Sequence, residues 1–131
     1  MHQHYVRPDG LPPVNGYSHV VEFSGRMIAV SGQVPLDGQG KLAGPDPEAQ
    51  VRQVFDNLVT ALAAAGAGME HVVKLTVYLT DITDLGVFRQ VRDEYISADN
   101  PPASTLVQVS SLASPDFRVE IEALAATTAM G

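Results

Sequence analysis

Two stretches with helical periodicity stand among six with strand periodicity, and this ratio constrains the fold more than any other feature of the 131-residue sequence. The first helix is predicted over 47–65. Asp46 suits its N-cap, Pro47 its first turn, and Glu48 its positive end. Val51, Val54, Phe55, Leu58, Ala61, Leu62 and Ala65 then form one apolar stripe, and Gly66 suits the stop. A second helix is predicted over 84–98, capped by Thr83 or Asp84, with Leu85, Phe88, Val91 and Tyr95 inward. Asn100-Pro101-Pro102 ends it, because proline cannot continue a helix.

The remaining periodic segments alternate with period 2. A short strand is expected at about 3–7, then a turn-rich loop over 8–18. Residues 19–24 and 26–31 read as a hairpin turned at Gly25. Ser31-Gly32-Gln33 interrupts the second of these strands, as a bulge or a close backbone approach would. Residues 72–80 form a strand with Val73, Leu75, Val77 and Leu79 on one side and Lys74, Thr76 and Tyr78 on the other. The last third supplies two more, within 101–109 and 118–124, joined by a polar loop.

The order is thus β-β-β-α-β-α-β-β. Two helices can cover one face of a four- to six-stranded sheet, not both, so the class is α+β. The other face is expected to carry Glu120 and Glu122 beside Leu106, Leu124, Tyr78 and Lys74. That mixture is too apolar for water and too polar for a core. It implies an oligomer whose contacts run along this face, with polar pockets between chains.

Composition narrows the function. An apolar fraction of 45% fits a globular chain, read as a single domain over 1–131. Fifteen acidic against eight basic residues give a net charge of −7, which disfavours nucleic acid and anionic membrane. The absence of cysteine excludes disulfide and thiol chemistry. With no apolar signal-like start and no long apolar run, a cytoplasmic location is expected. His2 and His4 read as a frayed terminus, with no further metal ligands evident.

Several segments, in order, resemble the YjgF/RidA family of reactive intermediate deaminases. They are Gly16-Tyr17-Ser18-His19, Val30-Ser31-Gly32-Gln33-Val34-Pro35, Gln53 to Leu58, Val73 to Leu79, Pro102-Ala103, and Val119-Glu120-Ile121-Glu122-Ala123. The resemblance implies a chorismate-mutase-like fold and a homotrimer with a small-molecule pocket at each subunit interface. It also implies cofactor-free and metal-free hydrolysis of enamines and imines to carbonyl compounds and ammonia. By the same resemblance Glu120 matches the residue that orients the water. Tyr17, Ser31, Gly32, Ser104, Thr105 and Leu106 match pocket positions.

Ser104 departs from the family pattern, because the deaminase type carries there an arginine that clamps the substrate carboxylate. A hydroxyl replaces a bidentate guanidinium in neither charge nor geometry. Leu106 stands where cysteine is frequent, and Arg89 where an asparagine lines the pocket. Arg89 is therefore a candidate for the missing cation, and a divergent branch with a different or less charged ligand is implied. For Glu120 the plain alternative is a surface carboxylate paired with Lys74 or Arg118; for Arg89 it is a solvated helix residue. Beside the hydrolase, two further readings stand: a metabolite-binding module without turnover, and a stress-linked interaction protein.

Overall fold

The computed structural model describes residues 2–128. The strands are β1 (His2–Tyr5), β2 (Val20–Phe23), β3 (Arg26–Gln33), β4 (Val72–Leu79), β5 (Ala103–Gln108) and β6 (Val119–Thr127). The helices are α1 (Pro47–Ala64) and α2 (Leu85–Tyr95). Asp46 caps α1 as expected, its carboxylate accepting from the Ala49 amide at 3.0 Å. Gly66 follows the helix at φ 72°, the left-handed conformation that ends helices and favours glycine.

The main sheet is mixed and four-stranded, in the order β3-β6-β4-β5, with β4 and β5 parallel and the other pairs antiparallel. β1 and β2 form a separate antiparallel pair. The hairpin expected across Gly25 is therefore not formed: β2 pairs with β1, and β3 with β6. Gly25 instead marks a close approach. Its φ is 119°, and a Cβ there would overlap the Thr127 carbonyl oxygen at the end of β6. β5 and β6 are not neighbours either, since β4 runs between them.

Both helices send buried residues into one core, Val51, Val54, Phe55, Leu58 and Leu62 from α1 and Phe88 and Val91 from α2. The sheet answers with Leu75, Val77, Leu79, Val119 and Ile121. At the start of β4, Val72 rather than Val73 joins that core. Pairing passes from Val72 opposite Ala125 to Lys74 opposite Leu124, so Val73 is the extra residue of a bulge.

The second helix is shorter than expected and begins differently. Asp81 caps a 3-10 turn over Ile82–Asp84, accepting from the Thr83 amide at 2.9 Å. Asp84 makes no cap bond and turns to Arg118 instead. The helix closes at Tyr95 with Ile96 extended, so it stops before the prolines. His2 and His4 are not frayed: their ring nitrogens donate to the carbonyls of Ala126 (3.0 Å) and Pro101 (2.8 Å). No described helix is long and apolar enough to cross a membrane.

Candidate functional site

Glu120 lies on β6 between two strands, directly opposite Tyr78 of β4. On its other side the pairing of β3 passes from Val30 opposite Ala123 to Gln33 opposite Ile121. Three steps on β3 thus match two on β6, and the ladder skips Ser31 and Gly32. This is the bulge expected from the sequence. Its purpose is visible at Gly32, where a Cβ would overlap the Oε2 of Glu120. The missing side chain leaves the space that the carboxylate occupies.

The flanking chain is braced from three directions. Buried Gln50 of α1 accepts from the Arg118 amide at 2.8 Å and donates to the carbonyls of Gly44 (2.7 Å) and Asp116 (2.9 Å). The Arg118 guanidinium forks onto Asp84 at 2.9 and 3.1 Å, and this pairing raises its already high pKa further. Asn57 of α1 donates to the carbonyls of Val34 (3.1 Å) and Leu36 (2.8 Å), holding the segment after the bulge. That segment, with Gly32, Asp37, Thr60 and Ala61, lines a cavity of about 350 Å³.

Among the described residues Glu120 makes no hydrogen bond or ion pair. The cations expected to pair with it are engaged elsewhere: Lys74 donates to Thr105 at 2.8 Å, and Arg118 holds Asp84. Glu122, on the same face, accepts from the Tyr78 hydroxyl at 2.9 Å, and that bond raises the Tyr78 pKa. Glu120 is thus the carboxylate of this face left free to accept from a ligand or a water.

Of the remaining expected site residues, Thr105 shares the carboxylate face and the others lie elsewhere. In the parallel β4–β5 pair, opposite residues share a face, so Thr105 and Val107 stand beside Thr76 and Tyr78. Ser104 and Leu106 stand beside Leu75 and Val77. Leu106 packs on the core. The expectation that Leu106 shares the carboxylate face is therefore corrected by register; Thr105 and Val107 occupy that place. Ser104 and Leu106 are on the helix side, at the edge of the sheet. Arg89 is half-buried on α2, with no hydrogen bond or ion pair among the described residues. It lines neither the Gly32 cavity nor the one at Tyr17.

Tyr17 borders a separate cavity of about 310 Å³, with Asn15, Gly16, Arg92, Asp93 and Ile96. The ring meets His19 edge-on at 5.6 Å. One chain therefore brings Ser31, Gly32 and Glu120 together, but not these with Tyr17, Arg89, Ser104 or Leu106. Among the described residues no cluster of three or more metal-ligating side chains occurs.

Residues 8–127 match the protein family described as endoribonuclease L-PSP. The chain belongs to the YjgF/Rid family. A RutC family protein of Pyrococcus horikoshii is 37% identical over 114 residues, 86% of this chain and 88% of that one. A Salmonella typhimurium protein named 2-iminobutanoate/2-iminopropanoate deaminase is 33% identical over 103 residues, 77% of this chain and 80% of that one. Among solved structures, the Rid protein YyfB of Yersinia pestis superposes with a TM-score of 0.87 at 32% identity, covering 96% of this chain and 98% of the other. YyfB is described as a protein of unknown function.

Within this Rid-family chain, the bracing roles of Gln50, Asp84 and Arg118 and the burial of Arg92 escaped the reading of the sequence. Gln50 had a signal, since it falls on the apolar stripe of α1 one turn before Val54. The Asp84–Arg118 pair, 34 residues apart, had none. Arg92 looked like an ordinary polar residue of α2, yet it is buried.

Proposed function

We propose that the protein hydrolyses small imines or enamines to carbonyl compounds and ammonia, in a pocket completed between copies of the chain. The observation that carries this is the unpaired Glu120 carboxylate, seated against the Gly32 bulge. An imine C=N bond needs one water. As the water oxygen bonds to the carbon of the protonated imine, Glu120 accepts a water proton and the C=N π pair moves to nitrogen, giving a neutral carbinolamine. Glu120 then returns that proton to the nitrogen, the C–N bond breaks to release ammonia, and the hydroxyl gives its remaining proton to Glu120 as C=O forms. The amides of Ser31 and Gly32, outside the ladder, are suited to hold a carbonyl or carboxylate oxygen.

The name of the Salmonella relative supports the reaction class. The division of site residues between two sides of the sheet supports a shared pocket. Glu120 and Gly32 of one copy would meet Ser104, Leu106 and Arg89 of the next in a trimer of chorismate-mutase-like units. A hydroxyl at Ser104 in place of a guanidinium favours a substrate without a carboxylate at that end, or one held by Arg89. The same feature favours a second reading, binding of a small metabolite without turnover.

Imines generated in situ by an amino-acid oxidase, and trapped with semicarbazide, test the proposal. Wild-type protein should speed imine loss, and Glu120→Gln should lower the rate by roughly 100-fold or more. Equal rates for the two proteins would sink the assignment. An inert wild type whose melting curve is shifted by a 2-oxo acid would leave the binding reading standing.

A further inference from the structure

We propose that Arg92 is a positioning residue that sets Tyr17 for ligand contact, acting from α2 through the loop at Gly16; this rests on reading Tyr17 as part of the ligand pocket. The Arg92 side chain is only 8% exposed. Its Nη1 donates to the Asn15 carbonyl and its Nη2 to the Asn15 side-chain oxygen, both at 2.9 Å. Nε and Nη2 also donate to Asp93 Oδ1 at 3.0 and 2.9 Å. The guanidinium carbon stands 5.9 Å from the centre of the Phe88 ring. Four donations leave the group nearly saturated, so it is itself poorly suited to clamp a substrate.

The loop is shaped around this cation. Gly16 has φ 72°, and a Cβ there would overlap the guanidinium. Glycine thus serves twice, for the left-handed backbone and for the close approach. Just beyond Tyr17, buried Ser18 is fastened by its amide to the Pro102 carbonyl at 2.9 Å and by its hydroxyl to the Pro101 carbonyl at 2.6 Å. Tyr17 therefore hangs between two clamps, one fixed to the start of β5 and one to α2.

Stability alone accounts poorly for a cation here. Well-packed apolar replacements of buried ions are frequently neutral or stabilising. What an apolar residue cannot supply is the two-point hold on Asn15. By that hold α2 decides where the Tyr17 ring lies. The same helix carries Arg89, so a shift of α2 would move both residues together.

A double-mutant cycle on Arg92→Met and Tyr17→Ala tests this, with amide hydrogen exchange of the 12–19 segment as a reading free of activity. Arg92→Met should speed exchange at 14–18 at least about tenfold. It should raise KM for the imine about tenfold, with a smaller effect on kcat, as loss of ligand binding would. In the Tyr17→Ala background the KM effect should vanish, because the residue being positioned is gone. KM effects that multiply independently would overturn the proposal, as would unchanged exchange. If wild type turns over no imine, the proposed function falls and the exchange reading alone decides: acceleration confined to 14–18 supports Arg92, and unchanged protection refutes it. Should Arg92→Met fail to fold, Gly16→Ala, which strains the loop and displaces the guanidinium from the opposite side, carries the same measurements.

Discussion

At the scale of single residues, the site depends on an atom that is absent. Gly32 has no positive φ, so its backbone would accept an L side chain without strain. What forbids one is the Glu120 carboxylate in the space a Cβ would take. Gly32→Ala should therefore leave the melting temperature little changed, because the displaced group is the end of a flexible side chain beside an open cavity. Turnover should fall at least roughly tenfold, since a catalytic group moved by about 1 Å loses its alignment. Paired melting and imine-loss assays check this. Full activity in the variant would mean that the contact at Gly32 has no part in catalysis. The glycine was legible in the sequence as a bulge or a close approach, and it is both. Its partner was not legible, because Glu120 lies 88 residues on and only the register of β3 against β6 joins them.

At the scale of elements, helix-to-helix contacts show how much local pattern conveys. The stripes of α1 and α2 were readable because period 3.6 marks the buried face, and Phe55, Phe88 and Val91 are indeed in the core. The end of α2 was not readable. The prolines at 101 and 102 set an outer limit, but Ile96 leaves the helix before them, with its side chain buried. The final turn is held by Tyr95, whose ring stacks on Phe55 at 4.9 Å and whose hydroxyl donates to Asp56 of α1 at 2.6 Å. Burial, and then the Asp56 carboxylate, push its pKa from the ordinary 10.0 up to about 12. A folded pKa raised above the unfolded one means the protonated phenol is favoured by folding. The contribution is whole below pH 10 and is lost as pH rises from 10 towards 12. Thermal melts across that window should show wild type losing stability more steeply than Tyr95→Phe, which has no proton to give up. Parallel slopes would show that the α1–α2 contact does not depend on this proton. Faces of strands proved less secure than helix stripes. Alternation within 101–109 does not fix which face of β5 lies on the same side as the carboxylates of β6, so the expected place of Leu106 beside Glu120 and Glu122 fails. With β4 between β5 and β6, the parallel register places Leu106 beside Val77 and Thr105 beside Thr76.

At the scale of the whole molecule, two helices are too few to cover both faces of the sheet. α1 and α2 cover one face, and the other is left bearing Met27, 63% exposed, and Val107, 42% exposed, among Lys74, Tyr78, Glu122 and Leu124. On the proposed reading, the residues assigned to the pocket divide between that face and the edge of β5 on the helix side, so the proposed site requires a second copy. Assembly and activity should then fail together. Met27→Glu places a carboxylate on the uncovered face while leaving the core of its own chain untouched. By light scattering, wild type should run at about three times the chain mass and the variant at the mass of one chain. Wild type should also melt at a temperature that rises with protein concentration, since association stabilises the folded form by mass action. If the variant is a folded monomer that retains imine turnover, the pocket is complete within one chain, and Glu120 must work without Ser104 and Arg89. If wild type is itself a monomer at micromolar concentration, the uncovered face has another occupant. Loss of assembly with simultaneous loss of turnover, while the variant stays folded, is the outcome that the division of the site predicts.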